Sequence, residues 1–146
     1  MPVISRNLNV LARCGVQFRT GYFKALGITA FQAPYIQHIC IQPGISQEQV
    51  ARALLVNRSS AARHLAALEE DGFVTRRESQ EDKRLLLIYP TQKAMEADPE
   101  IRRVNTLWND WLTQGMTEDE VARLEELLER LRLRALAYVK EEEQTL

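Results

Sequence analysis

The side chains whose types and spacing could do chemistry in this chain are cations set among small or acidic neighbours, not nucleophiles or acid–base pairs. Ser59-Ser60-Ala61-Ala62-Arg63 places one arginine among short side chains, and Arg76-Arg77 with Asp82-Lys83-Arg84 places four more cations around a polar stretch. A guanidinium presents a planar fork of donors that matches phosphate oxygens or the paired acceptors on a guanine edge. Short neighbours let the backbone that carries such a fork come close to its target. Asp82 and Arg84 lie two apart, so in an extended segment their side chains share a face. Asp82 could then orient Arg84 through a charge-assisted pair. Other chemistry lacks a signature: there is no glycine-rich phosphate loop, no His-Glu-x-x-His and no G-x-S-x-G. His64 has no second histidine at metal-ligand spacing, and the acidic runs at 69–71 and 141–143 read as solvated helix surface. No metal, cofactor or catalytic residue is expected.

The elements that must hold these cations can be read around them. Ser46 with Gln49 three residues on forms a capping box, and Val50, Ala53 and Leu54 follow at helical spacing. Asn57 is placed to cap a second helix from about Arg58 to Asp71, which Gly72 stops. At roughly 100° per residue, Ala61, Leu65 and Leu68 form its buried stripe. Ser59, Ala62, Arg63 and Ala66 form the opposite face, with Glu70 at the far end. His64, beside the stripe, reads as a packing residue. Phe73 to Thr75 then reads as a short strand that Arg76, Arg77 and Glu78 continue, residues 79–84 as a polar hairpin tip, and Leu85 to Tyr89 as the returning strand. Arg76, Arg77, Lys83 and Arg84 put four cations on that hairpin, where they could meet phosphates or a minor groove. Helix, turn, helix and hairpin over residues 45–90 is the order of a winged helix-turn-helix, which sets its second helix in a major groove.

The stretch SSAARHLAALEEDGFVTR and the wing EDKRLLLIYPT resemble the DNA-binding core of the MarR family of bacterial transcription regulators. Its hallmark Asp-x-Arg in the wing is matched by Asp82-Lys83-Arg84. Its usual Thr-Arg pair on the reader helix is Ala62-Arg63 here, so the arginine is kept and the hydroxyl lost. The family's wing usually closes with Leu-Thr and a glycine three residues after the threonine; here Pro90-Thr91 and Ala94 stand there. The motifs are specific from about Ser46 to Thr91, and the resemblance in helix order extends over nearly the whole chain. It implies a homodimer formed by the first and last helices. It also implies a crevice between those helices and the DNA-binding unit, where the family often binds aromatic acids. Phe31, Tyr35, His38, Trp108 and Trp111 could line such a crevice, although core packing is the better reading of each alone. Some members sense peroxides through a cysteine in the first helix. Cys14 lies in that helix but later than the sensing position, and both Cys14 and Cys40 fall in apolar bands, where thiols are usually inert.

Length and composition agree with one ordinary globular domain: 146 residues, 45% hydrophobic and 27% charged. No apolar run is long enough for a membrane span, and no signal peptide is apparent. Two cysteines fit a reduced, cytoplasmic protein. The formal net charge of −1 argues against a protein that coats nucleic acid, so a DNA contact must rest on the face that carries the cations. Residues 1–47 hold four bases and no acid, whereas residues 117–146 hold five bases and nine acids. Ends of opposite charge suit ends that pack together, within or between chains.

The remaining chain reads as helices. One is expected from Asn7 to Leu26, stopped by Gly27, and one from about Ala30 to Ile41 with Thr29 as cap and Pro34 near its start. After Thr91 another should begin, and Asp98-Pro99 should kink it or divide it into two. Thr117 with Glu120 opens a last helix of about Glu118 to Glu142, with Val121, Leu124, Leu128, Leu131, Ala135 and Tyr138 along one side. The expected fold is mostly α with a small β-wing, a winged helix-turn-helix core (45–90) with helical dimerisation regions (1–41 and 98–146) in a single domain. The expected function is a regulator that binds a pseudo-palindromic operator in double-stranded DNA as a homodimer, as a ligand-responsive repressor. Ser59, Ser60, Ala62, Arg63, Arg76, Lys83 and Arg84 would face the DNA, and Asp82 would orient the wing. The rival readings are a winged-helix protein-interaction module that has lost DNA binding and a cysteine-based redox sensor.

Overall fold

The computed structural model describes residues 3–145, and by contact they divide into two units, one up to Trp108 and one from Asn109. In the first unit, helix α1 runs Ile4–Phe23, tightens into a 3-10 turn at Lys24–Leu26 and ends at Gly27, whose φ of 74° suits a residue without a Cβ. The start lies three residues before Asn7, and residues 3–14 are all exposed, so burial does not mark where the helix begins. Helix α2 spans Ala33–Ile41. Thr29 does not cap α2, which begins three residues later than expected with Gln32 as its N-cap; Thr29 closes the turn before it. The Gln32 amide donates to Thr29 Oγ1 at 3.1 Å, and the Thr29 amide donates to Gln32 Oε1 at 3.0 Å. Pro34 then falls in the first turn of α2, where its missing N–H costs nothing.

Strand β1 (Ile45–Ser46) leads into helix α3 (Gln47–Ala53), and helix α4 covers Arg58–Glu70. Both caps form as read. Ser46 Oγ accepts from the Gln49 amide while Gln49 Oε1 accepts from the Ser46 amide, and Asn57 Oδ1 accepts from the Ser60 amide at 2.7 Å. Strands β2 (Val74–Glu78) and β3 (Leu86–Pro90) form the antiparallel ribbon, with Arg76 opposite Ile88. β1 adds a third strand in the order β1-β3-β2, through Ile45 opposite Ile88. Two residues are too few for alternation to reveal a strand in the sequence, so β1 was not expected. It makes β3 the central strand and roots the ribbon in the core.

Helix α5 is a single helix, Gln92–Leu112, with Pro99 inside it. The division into two helices, one newly capped by Asp98, does not occur. Ala94 and Ala97 are buried before Pro99, and Ile101 and Val104 after it, all facing the same core. At about 0.8 kcal/mol per buried methylene, this burial on both sides offsets the roughly 3 kcal/mol that an internal proline costs. The core itself gathers Phe23, Ile36, Ile39, Val50, Leu65, Leu68, Phe73, Val74, Ile88 and Ile101. In the second unit, Gly115 at φ 82° turns the chain. Thr117 and Glu120 complete their capping box before helix α6, Glu118–Thr145. No residue of α6 is buried. Among the described residues, no helix is long and apolar enough to cross a membrane.

Candidate nucleic-acid interface

The outer face of α4 is fixed by what lies beneath it. Ala61, Leu65 and Leu68 are wholly inaccessible and hold one side of the helix in the core. That leaves Ser59, Arg63 and Ala66 exposed and Ser60 and Ala62 half-buried, the division the helical wheel predicts. The turn from α3 into α4 contains Leu55 at φ 55°, a left-handed conformation rare for a γ-branched residue, with its side chain exposed. Arg58, in the first turn of α4, reaches back to Glu48 of α3 at 2.6 Å.

The tip of the wing is a closed structure. The Ser79 amide donates to the Leu85 carbonyl at 2.9 Å, and the Leu85 amide to the Asp82 carbonyl at 3.0 Å. Ser79 Oγ accepts from the Asp82 amide at 3.3 Å. Asp82 grips Arg84 by three bonds. Arg84 Nε and its backbone N–H donate to Oδ1 at 3.0 and 3.1 Å, and Nη2 donates to Oδ2 at 3.1 Å. These bonds to Arg84 hold the Asp82 carboxyl below the usual carboxylate range. The remaining guanidinium hydrogens face solvent, since the Arg84 side chain is 89% exposed. An arginine fixed on one edge and bare on the other can offer directed donors to an anion. Arg84 shares a crevice of about 180 Å³ with Arg58 and Ala61 of α4 and Gln47 of α3, so the held arginine stands beside the start of α4.

The other predicted cations behave differently. Lys83 is exposed at the tip. Arg77 lies over the Tyr89 ring, 4.4 Å from its centroid. Arg76 is not a free cation. Its Nη2 donates to Glu69 Oε1 at 3.1 Å, its backbone N–H to Glu69 Oε2 at 3.0 Å, and its Nη1 to Gln47 Oε1 at 3.3 Å. The bond from Arg76 holds the Glu69 carboxyl below the ordinary glutamate range. Glu69 and Gln47 were not singled out from the sequence, because a glutamate seven residues before its partner, across a glycine corner, leaves no periodic trace. Thr91 Oγ1 donates to the Gly72 carbonyl at 2.6 Å and Lys93 Nζ to the Asp71 carbonyl at 2.7 Å, so the head of α5 satisfies the open end of α4.

His64 is a packing residue: its ring lies 5.3 Å from that of Tyr35, and burial, then neighbouring Arg63, lower its pKa. Burial pushes the Tyr35 hydroxyl up, and that hydroxyl has no partner among the described residues. Of the residues considered for a ligand crevice, Tyr35 and Trp108 are buried, His38 is half-buried, and Phe31 and Trp111 are exposed. Trp108 lies against Phe18, the ring centroids 5.1 Å apart and the planes tilted by 35°, and a Cβ on Gly15 would approach its Nε1 to 3.2 Å. Cys14 is exposed, not covered, and Cys40 is half-buried with its thiol pushed up by burial and by Asp98. Among the described residues, no group of three or more His, Cys, Asp or Glu could hold a metal ion.

Comparison with known proteins bears on this geometry. A model of the MarR family matches residues 26–85, from the end of the 3-10 turn through the wing tip. The chain is 31% identical over 132 residues to the uncharacterized HTH-type transcriptional regulator YybA of Bacillus subtilis, covering 90% of this chain and 88% of that protein. It is similar to the crystal structure of the transcriptional regulator SlyA, at 35% identity and a TM-score of 0.87, covering 92% of this chain and 94% of that one. A regulator from Listeria monocytogenes, solved in complex with a 26mer DNA, aligns at 30% identity and a TM-score of 0.86 over 97% and 96% of the two chains.

Proposed function

The chain belongs to the MarR family of transcriptional regulators, and on that premise we propose that it works in the cytoplasm as a homodimeric, ligand-responsive repressor of a pseudo-palindromic operator. Arg63 meets base edges in the major groove, with Ser59 and Ser60 beside it and Ala62 allowing close approach. Arg84, oriented by Asp82, and Lys83 meet the neighbouring backbone or minor groove. The observation that carries this reading is the Asp82–Arg84 grip, which leaves a fixed but bare guanidinium next to the start of α4. An arginine kept in place at a hairpin tip makes sense when its target is rigid and anionic, as a duplex is.

Apolar side chains on the terminal helices support the dimer. Leu124, Leu128, Leu131 and Tyr138 recur along α6, each more than a third exposed, and Ile4, Leu8 and Leu11 recur along α1 in the same way. Soluble chains rarely leave such stripes uncovered. A second copy would cover them and would set two reader helices about one turn of DNA apart. A small aromatic effector that altered this spacing would release the operator, because both helices must fit at once. The test is selection of duplexes from a random pool, followed by gel shift and sedimentation. A palindromic consensus bound by two protomers is expected. A monomer in solution, or no binding to any duplex at low salt, refutes the proposal.

A further inference from the structure

The clamp between Glu69, Arg76 and Gln47 lies outside the proposed reading surface, yet it joins three elements that the surface needs. Glu69 is in the last turns of α4, Arg76 is on β2, and Gln47 opens α3. β2 is an edge strand, so N–H groups pointing away from β3 have no strand to bond. Glu69 Oε2 takes the one at Arg76, and Glu69 Oε1 takes that residue's guanidinium. The Arg76 side chain is 22% exposed, and its Nε is buried without a partner. It is therefore held in place although one of its donors goes unsatisfied, which a solvated surface arginine has no reason to be. The root of the ribbon is tied separately, by the β1–β3 pairing and by Thr91 Oγ1 on the Gly72 carbonyl, whereas the clamp holds β2 further along, between that root and the tip.

We propose that Glu69 and Arg76 are positioning residues that, with Gln47, set the angle at which the wing leaves the reader helix and so the point at which Arg84 meets DNA. The functional consequence rests on the DNA-binding reading above; the mechanical one belongs to the free protein. The ribbon continues two paired residues beyond Arg76, to Glu78 opposite Leu86, before the tip begins. At about 3.3 Å per residue, Arg84 then lies roughly 10 Å beyond the clamp. A swing of about 10° there moves the guanidinium by nearly 2 Å, enough to take a donor out of hydrogen-bonding range. Two reader helices in a dimer would leave each wing its own lever, and each clamp would fix one.

The experiment has two arms. In the free protein, amide relaxation at Lys83 and Arg84 is compared between the parent and Glu69→Gln, which keeps the shape of the side chain and loses its charge. Greater motion at the tip, with unchanged order along α4, is expected; unchanged order at the tip overturns the inference, whether or not the parent binds DNA. In the second arm the probe is a duplex recovered from a random pool by the parent protein. Glu69→Gln should weaken its binding about five- to tenfold, and less than about twofold when introduced into Arg84→Ala. Equal losses in the two backgrounds overturn the proposal, because the clamp would then not act through the wing. Arg76→Lys, which keeps the charge without the fork, should follow Glu69→Gln; parent-like binding in that variant speaks against the clamp as well. A parent that binds no duplex refutes the DNA-binding reading alone, and the relaxation arm still decides the clamp.

Discussion

Arg84→Ala should change the salt dependence of DNA binding, and by an amount that can be worked out. The Arg84 side chain is 89% exposed, and Asp82 is its only ion-pair partner among the described residues. If its free edge meets a phosphate, it displaces one condensed counterion there. Each such contact contributes about 0.9 to the slope of log affinity against log salt, and the proposed dimer would make two, so the variant's slope should be shallower by about 1.8. Between about 50 and 200 mM salt the parent should therefore lose roughly twelvefold more affinity than the variant. Asp82→Asn is the informative partner. It keeps the cation and should keep the slope, but it frees the arginine to wander, weakening binding by roughly two- to tenfold at every salt concentration. Fluorescence anisotropy with a labelled operator at four or five salt concentrations measures both. A parallel, unshifted line for Arg84→Ala would refute the reasoning, because the guanidinium would then face no phosphate. A parent-like affinity for Asp82→Asn would show that the grip does not matter.

Three further outcomes follow from the same geometry. Arg63→Ala should cost roughly 1–3 kcal/mol of specific binding and flatten preference at one base position, measured by competition with single-base operator variants. Leu55→Asn should raise the denaturation midpoint by an amount equivalent to about 1 kcal/mol. The left-handed turn at φ 55° strains leucine and not asparagine, and an exposed side chain gives up little packing. Glu69, whose carboxyl is held below the ordinary glutamate range by Arg76, should make stability depend on pH. A group with a depressed native pKa stabilises the fold fully above its unfolded value and loses that contribution as pH falls through the native one. Denaturant melts of the parent should thus weaken below the ordinary glutamate range more steeply than those of Glu69→Gln, and identical pH profiles would contradict the clamp.

Much of this was legible in the residues, for identifiable reasons. Ser46 with Gln49 and Asn57 before Arg58 are local capping signals, and both formed as read. Ala61, Leu65 and Leu68 repeat at helical spacing, so the faces of α4 followed from period alone. The Asp82–Arg84 pair was visible because two residues apart means one face in an extended segment. The family resemblance, specific from about Ser46 to Thr91, overlaps the residues 26–85 that the family model matches, and the model reaches further back into the helices before the capping box. What stayed hidden depended on distance along the chain. β1 is two residues whose partner lies more than forty positions away. Arg76 read as another wing cation, since its link to Glu69 and Gln47 exists only once the corner at Gly72 is folded. Pro99 read as a kink or a break, since its local cost shows in the sequence and the burial that outweighs it on both sides does not.

The bare leucines of α6 also bear on how such a protein would respond to its own abundance. A helix of 28 residues with no buried residue is held in a solitary chain by its backbone bonds, its capping box and surface ion pairs such as Arg123 to Glu126 and Arg132 to Glu129, with little help from a core. In the proposed dimer, assembly would complete the folding of this helix, and melting temperature would rise with dilution reversed. Promoter occupancy would then climb with roughly the square of protomer concentration while dimers are scarce. The gene under its control would stay silent or open over a narrow range of protein copies.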